Sequence, residues 1–322
     1  MAVRRAPIMV ATLGLGGLMS CAGSEAAAPE PASAGAPAAE VTPEPPETYT
    51  ATIDNARPIK KPVPSEPIAN RRVQFSYTGE LTQGGYIRGM APSNTVQATL
   101  GDQVLEIAED GSFFAAFDRD SAGEIALTAT TGRGREVSQT LTVSPRDWRI
   151  ERVNVARRSG GSSEAWWKKR KPEWEAINAA RAKETDADGW QQDFIWPVKG
   201  RISGRFGRQR IYRGEPGSYH SGIDIAPGNG VPFVAPADGV VVLARTGFSL
   251  EGGLIIIDHG MGLNSAFLHA SKIAVEEGES VEQGQYIGNV GSTGRATGPH
   301  LHWGLKWNDA RLDPLLFVGP MN

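Results

Sequence analysis

Five histidines occur in this 322-residue chain, and all of them lie between positions 220 and 302. Four combine with one aspartate in a recurring arrangement. His220 and Asp224 sit in HSGIDIAP, His269 in AFLHAS, and His300 and His302 in GPHLHWG. Imidazole and carboxylate are the usual non-thiol ligands of zinc, and a catalytic site typically takes three protein ligands and leaves a position for water. Histidines that served only for packing would be scattered, so the clustering reads as a metal enzyme. The helical H-E-x-x-H arrangement is absent, which removes the model in which two ligands share one helix face.

The elements carrying these residues read as strands. In a strand, residues an even number apart share a face. His220, Gly222 and Asp224 are therefore expected on one face, with Ile223 and Ile225 on the other. His300 and His302 pair in the same way against Leu301 and Trp303. The stretches GLIIIDHG, GLNSAFLHAS, QYIGNVG and HLHWGLKW are short, β-rich and punctuated by glycine, which predicts a sheet. Gly222, Gly291, Gly294 and Gly298 leave room for close backbone approach. The fifth histidine, His259, follows the apolar run Leu254 to Ile257 and reads as a structural residue.

The segments HSGIDIAP, PADGVVVLA, IIIDHGMGLNSAFLHAS, VEQGQYIGNVGSTG and GPHLHWGL together carry a family resemblance. Residues 195–322 resemble the lysostaphin-type (LytM-like) zinc metallopeptidases, which cleave peptide bonds in bacterial peptidoglycan. The resemblance implies an antiparallel β-sheet domain with an open groove and one Zn2+. It implies His220, Asp224 and His302 as the metal ligands, and His269 and His300 as the histidines that handle water and the developing oxyanion. Phe267 stands where the family commonly has tyrosine. No glutamate accompanies the ligands, so proton transfer falls to His300 or His269, and the sequence leaves open which. The alternative is a non-catalytic wall-binding or hydrolase-activator lipoprotein. Such relatives typically lose ligands, whereas all five positions are filled here.

Residues 1–21 read as an export signal: Arg4 and Arg5, a mostly apolar stretch from Ala6 to Met19, then Ser20 and Cys21. Cys21 is the only cysteine, which excludes an intrachain disulfide. Leu18-Met19-Ser20-Cys21 resembles a bacterial lipobox, implying lipidation of Cys21 and a membrane anchor. Ala22 after the cysteine favours the periplasmic face of the outer membrane; an ordinary signal peptide cut downstream would leave the protein periplasmic. Residues 22–67 are rich in alanine, proline and glutamate and read as a disordered tether that reaches at most roughly 140 Å in polyproline II form.

Two further regions complete a mainly β chain. Residues 68–146 alternate in RRVQFSYTG, NTVQATLGDQVLEIAEDGSFFAAF and EIALTATTGRG, with turns expected at Gly101-Asp102 and Asp110-Gly111. That pattern predicts an immunoglobulin-like β-sandwich. Residues 147–194 read as a linker with a helix whose first turn holds Pro172, Glu173 and Glu175. Trp166 and Trp167 are expected to pack on a neighbouring domain beside solvated Lys168, Lys169, Arg170 and Lys171. The net charge of -3 and the export signal argue against nucleic acid. Peptidoglycan and the membrane are the expected partners, with room for a regulatory protein.

Overall fold

The computed structural model describes residues 72–156 and 163–321. The signal segment, Cys21 and the expected tether lie outside the described residues. The first seven strands are β1 (Ser76–Gly79), β2 (Tyr86–Met90), β3 (Thr95–Leu100), β4 (Gln103–Leu105), β5 (Ser112–Ala116), β6 (Glu124–Thr131) and β7 (Glu136–Thr142). They form two antiparallel sheets ordered β1-β2-β5 and β4-β3-β6-β7. Alternation places Leu127, Ala129 and Leu141 inside with Ile87 and Phe113, as expected for a seven-stranded sandwich. Gly101, at φ +55°, turns β3 into β4. The Asp110-Gly111 turn instead carries the chain from one sheet to the other, because β4 pairs with β3 and β5 with β2.

The linker differs from the sequence expectation in three ways. It contains a strand, β8 (Ile150–Val153), as well as the helix α1 (Glu164–Arg181). The helix begins eight residues before Pro172, because the Ser163 hydroxyl caps it by accepting from the Trp166 amide at 3.2 Å. Pro172 is thus an interior, solvent-facing residue, where its missing N–H leaves a carbonyl that water can satisfy. The tryptophans do not pack away on a neighbour. Trp166 and Trp167 stack with ring centroids 6.0 Å apart, and Trp167 and Trp174 are exposed.

The strands that follow are β9 (Arg201–Gly204), β10 (Gln209–Tyr212), β11 (Glu215–Pro216), β12 (Ile223–Ala226), β13 (Pro232–Val234), β14 (Gly239–Phe248) and β15 (Gly252–Asp258). Next come β16 (Leu263–Leu268), β17 (Lys272–Ile273), β18 (Ser280–Val281), β19 (Tyr286–Asn289), β20 (Leu301–Trp307) and β21 (Ala310–Leu312). The main sheet runs β18-β14-β15-β16-β20-β12-β9, with β21 added to β20, and β13-β19-β17 form a smaller sheet. All of β15 is buried because its two faces are both covered. Ile255 and Ile257 face the central core, while Leu254 and Ile256 meet Ala176, Ile177 and Ala180 of α1. A continuous apolar run is what such a strand requires.

The sandwich and the main sheet share one core. Tyr86 stacks on Phe317 at 4.0 Å between centroids, Phe114 meets Trp307 edge-on at 6.2 Å, and Arg146 pairs with Asp313 at 2.8 Å. Strand β8 lies parallel to β10, with Gln209 opposite Ile150. Arg119, buried at the sandwich edge, donates to the Gly207 carbonyl at 3.2 Å and lies over the rings of Trp148 and Tyr219. The mainly β architecture expected from the sequence is the one observed.

Candidate metal centre

Strand register builds half of the site. Asp224 on β12 lies directly opposite His302 on β20, while their neighbours Ile223, Ile225, Leu301 and Trp303 are fully buried on the other face. This is the alternation the sequence implied. His220 is different, because β12 starts only at Ile223. Its position comes from loop hydrogen bonds rather than from strand geometry. The His220 amide donates to the Arg208 carbonyl at 2.8 Å, and the His220 carbonyl accepts from Gly207 at 2.9 Å.

Three ligand atoms converge. His220 Nε2 is 3.0 Å from Asp224 Oδ1 and 3.1 Å from His302 Nδ1, which is itself 2.9 Å from the same carboxylate oxygen. The backbone fixes the tautomer of His220. Its Nδ1 lies 3.0 Å from the Arg205 carbonyl, which can only accept, so Nδ1 carries the hydrogen and Nε2 of the neutral ring presents a lone pair. A bare nitrogen and a carboxylate oxygen at hydrogen-bond distance have no hydrogen to share. A cation within reach of all three donors resolves that conflict, so the residues fit a bound metal ion of the kind imidazole and carboxylate favour.

The electrostatics point the same way. Burial opposes ionisation of Asp224, yet the His220 and His302 imidazoles hold its carboxyl far below the usual carboxylate range. Burial also works against protonation of His220, but Asp224 and the Arg205 carbonyl outweigh it and raise the pKa. The pocket attracts positive charge. Burial pushes the His302 imidazole down, which keeps it neutral and able to donate a lone pair.

Glycines make the convergence sterically feasible. A Cβ on Gly204 of β9 would stand 2.2 Å from Asp224 Oδ2, and one on Gly222 would stand 2.3 Å from the Trp303 carbonyl oxygen. Gly222 was marked by the sequence as a position of close approach. Gly204 was not, since only the pairing of β9 with β12 brings it there.

His269 and His300 stand beside the three donors. Their ring centroids are 4.8 Å apart, and His300 Nε2 lies 3.7 Å from Asp224 Oδ1. Each has its Nδ1 on a carbonyl: Thr293 at 2.9 Å for His269, Gly298 at 2.8 Å for His300. In the neutral rings Nδ1 is therefore the donor and Nε2 is left to accept a proton. Burial lowers the pKa of His269. All five residues singled out by sequence come together, and His259 stays apart. It is fully buried, with Nδ1 2.7 Å from the Asp238 carbonyl and Nε2 2.7 Å from the Ser265 hydroxyl.

An open groove of about 1010 Å³ runs past the site. Its lining includes Arg208, Arg210, Tyr212 and Tyr219 from the segment RQRIYRGEPGSY, as the sequence implied, together with Arg295. The other expected wall, ARTGFSLEGG, is not among the lining residues; it touches the site through main-chain bonds of Leu250 and Glu251. Val155 and Ala156, just after β8, were missed as lining residues, although the alternation in RIERVNV was available as a signal. Glu151 on β8 pairs with Arg208 at 3.3 Å and Arg210 at 2.9 Å.

Comparison with known proteins agrees with this architecture. The sequence profile of peptidase family M23 matches residues 218–314. The peptidoglycan DD-endopeptidase ShyA of Vibrio cholerae is 40% identical over 129 residues, covering 38% of this chain and 29% of ShyA. The lipoprotein NlpD/LppB homolog of Pseudomonas aeruginosa is 36% identical over 130 residues, 40% of each chain. The match thus spans well under half the length of these curated relatives. A peptidase M23 structure from Pseudomonas aeruginosa superposes with a TM-score of 0.59 at 27% identity, covering 74% of this chain and 96% of that one. That coverage extends beyond the metal-site domain. From His220 to His302 the donors lie inside the matched stretch, and through it this chain carries a domain of peptidase family M23.

Proposed function

We propose that this chain is a zinc-dependent endopeptidase that hydrolyses peptide cross-links of bacterial peptidoglycan. The observation that carries this reading is the convergence of His220 Nε2, Asp224 Oδ1 and His302 Nδ1 within 3.1 Å of one another, beside two further histidines and an open groove. When bound, zinc supplies Lewis acidity and a water of lowered pKa. His269 and His300, each anchored through Nδ1, have Nε2 free to take a proton from the attacking water and return it to the leaving amine. In protonated form the same rings stabilise the oxyanion. Arg208 and Arg210, which share the single carboxylate of Glu151, together with Arg295 leave the groove rim net positive, which suits a peptide that bears carboxylates.

The export signal and Leu18-Met19-Ser20-Cys21 support lipidation of Cys21 and residence at the periplasmic face of the outer membrane. The tether of residues 22–67 would carry the enzyme from membrane to wall. Metabolic labelling with an alkynyl fatty acid, lost in Cys21→Ser, tests the anchor.

The activity is tested by muropeptide mass spectrometry after the purified full chain, loaded with zinc, is incubated with isolated peptidoglycan. Loss of cross-linked dimers, blocked by chelator, is the expected result. His269→Ala and His300→Ala should retain zinc while losing roughly 100- to 10,000-fold in turnover, the scale of general acid–base catalysis. Unchanged muropeptides with zinc bound at stoichiometry would replace this reading with that of a wall-binding or activator protein.

A further inference from the structure

The turn between β14 and β15 is held on one side by helix α1 and holds His269 on the other. Its side chains face the helix. Arg170 donates to both carboxylate oxygens of Glu251, each at 2.7 Å, and to Glu173 at 3.0 Å. Glu173 in turn accepts from the Ser249 amide at 3.0 Å and from its hydroxyl. Its main chain faces the site. The His269 amide donates to the Glu251 carbonyl at 2.8 Å, and the Arg295 amide to the Leu250 carbonyl at 2.9 Å. Glu251 is therefore bound by its carboxylate to the helix and by its carbonyl to His269.

We propose that Arg170 is a positioning residue for His269, acting through Glu251, so that the docking of α1 sets the competence of the site. This rests on the reading that His269 takes part in proton transfer. His269 needs such support because its backbone lies in the left-handed region at φ +70°. A non-glycine residue persists there only where its surroundings hold it.

The anchor is polar because the apolar contact is small. α1 offers only Ala176, Ile177 and Ala180 to the sheet, whereas Arg170 is buried. One cation serves two carboxylates, Glu173 and Glu251, both largely shielded from solvent. Removing the guanidinium leaves two negative charges facing each other with little screening, so the turn moves away and takes the His269 amide partner with it. Arg170 lies outside residues 218–314, so this control reaches the site from beyond the matched domain.

The test uses the full, zinc-loaded chain. Arg170→Met should lower kcat on a cross-linked muropeptide dimer roughly 10- to 100-fold, the cost of a small misplacement of a reacting group, with KM and zinc stoichiometry unchanged. Arg170→Lys should recover part of the loss, and the exchange Arg170→Glu with Glu251→Arg should recover more. Lys171→Ala, on the exposed Lys171–Glu175 pair, should match wild type. In parallel, imidazole NMR should show the His269 resonances displaced in Arg170→Met while those of His259 stay in place. An unchanged kcat in a folded Arg170→Met chain would overturn the proposal. If wild type itself fails to turn over, the enzymatic reading fails instead, and the NMR comparison decides the coupling alone: identical His269 resonances overturn it.

Discussion

Two polar clusters in the same sheet use the same residue types to opposite ends. Around His259, both imidazole nitrogens have a protein partner, the Asp238 carbonyl and the Ser265 hydroxyl, and the ring is fully buried against Phe194. Around His302, lone pairs from two histidines and a carboxylate point at each other, and two of the three residues, His220 and Asp224, line an open groove. The first cluster is complete without any ion, and burial holds its histidine at a pKa of about 4. The second is complete only when a cation or a proton is supplied. A histidine becomes a ligand where the fold leaves its lone pair without a donor, whatever the number of histidines nearby.

The comparison breaks most sharply at His302. His302→Ala should abolish turnover and reduce zinc affinity by more than the roughly 10- to 100-fold that loss of an outer partner costs, as read by competition with a chromophoric chelator.

Acid should separate the clusters next. Because the folded pKa of His259 is about 4 and the unfolded value about 6.5, its contribution to stability is fully present above pH 6.5. It is lost as pH falls through 4, on the order of 3 kcal/mol in total. Urea midpoints measured across that window should fall steeply for wild type and less so for His259→Asn.

Gly204→Ala should leave the His259 cluster intact while pushing the Asp224 carboxylate aside, weakening zinc roughly 10- to 100-fold with little change in melting temperature. Ser265→Ala should do the reverse. It removes the hydroxyl partner of His259 and should cost about 1 kcal/mol of stability at unchanged zinc affinity and turnover.

Much of the site is legible in the sequence because strand alternation is a local property. Asp224 between Ile223 and Ile225, and His302 between Leu301 and Trp303, could be assigned to a polar face without knowing any partner strand. The same reasoning misplaced His220, whose loop is shaped by bonds to Arg205, Gly207 and Arg208 rather than by a pleat. Pro172, favourable in a first turn, also suggests too late a start for α1, whereas the Ser163 cap begins the helix at Glu164.

The sequence by itself determined which residue types were available for metal chemistry, which strands would carry two of them, and that a sandwich precedes the main sheet. These follow from side-chain chemistry and from periods of two along the chain. Only the tertiary structure decided that Asp224 faces His302, that Gly204 leaves room for the Asp224 carboxylate, and that Val155 and Ala156, just after β8, line the groove. It alone placed Arg170 of a helix on the turn behind His269. Such contacts join residues tens of positions apart, and their energies depend on register, burial and the pairing of charges, none of which leaves a periodic trace in the order of amino acids.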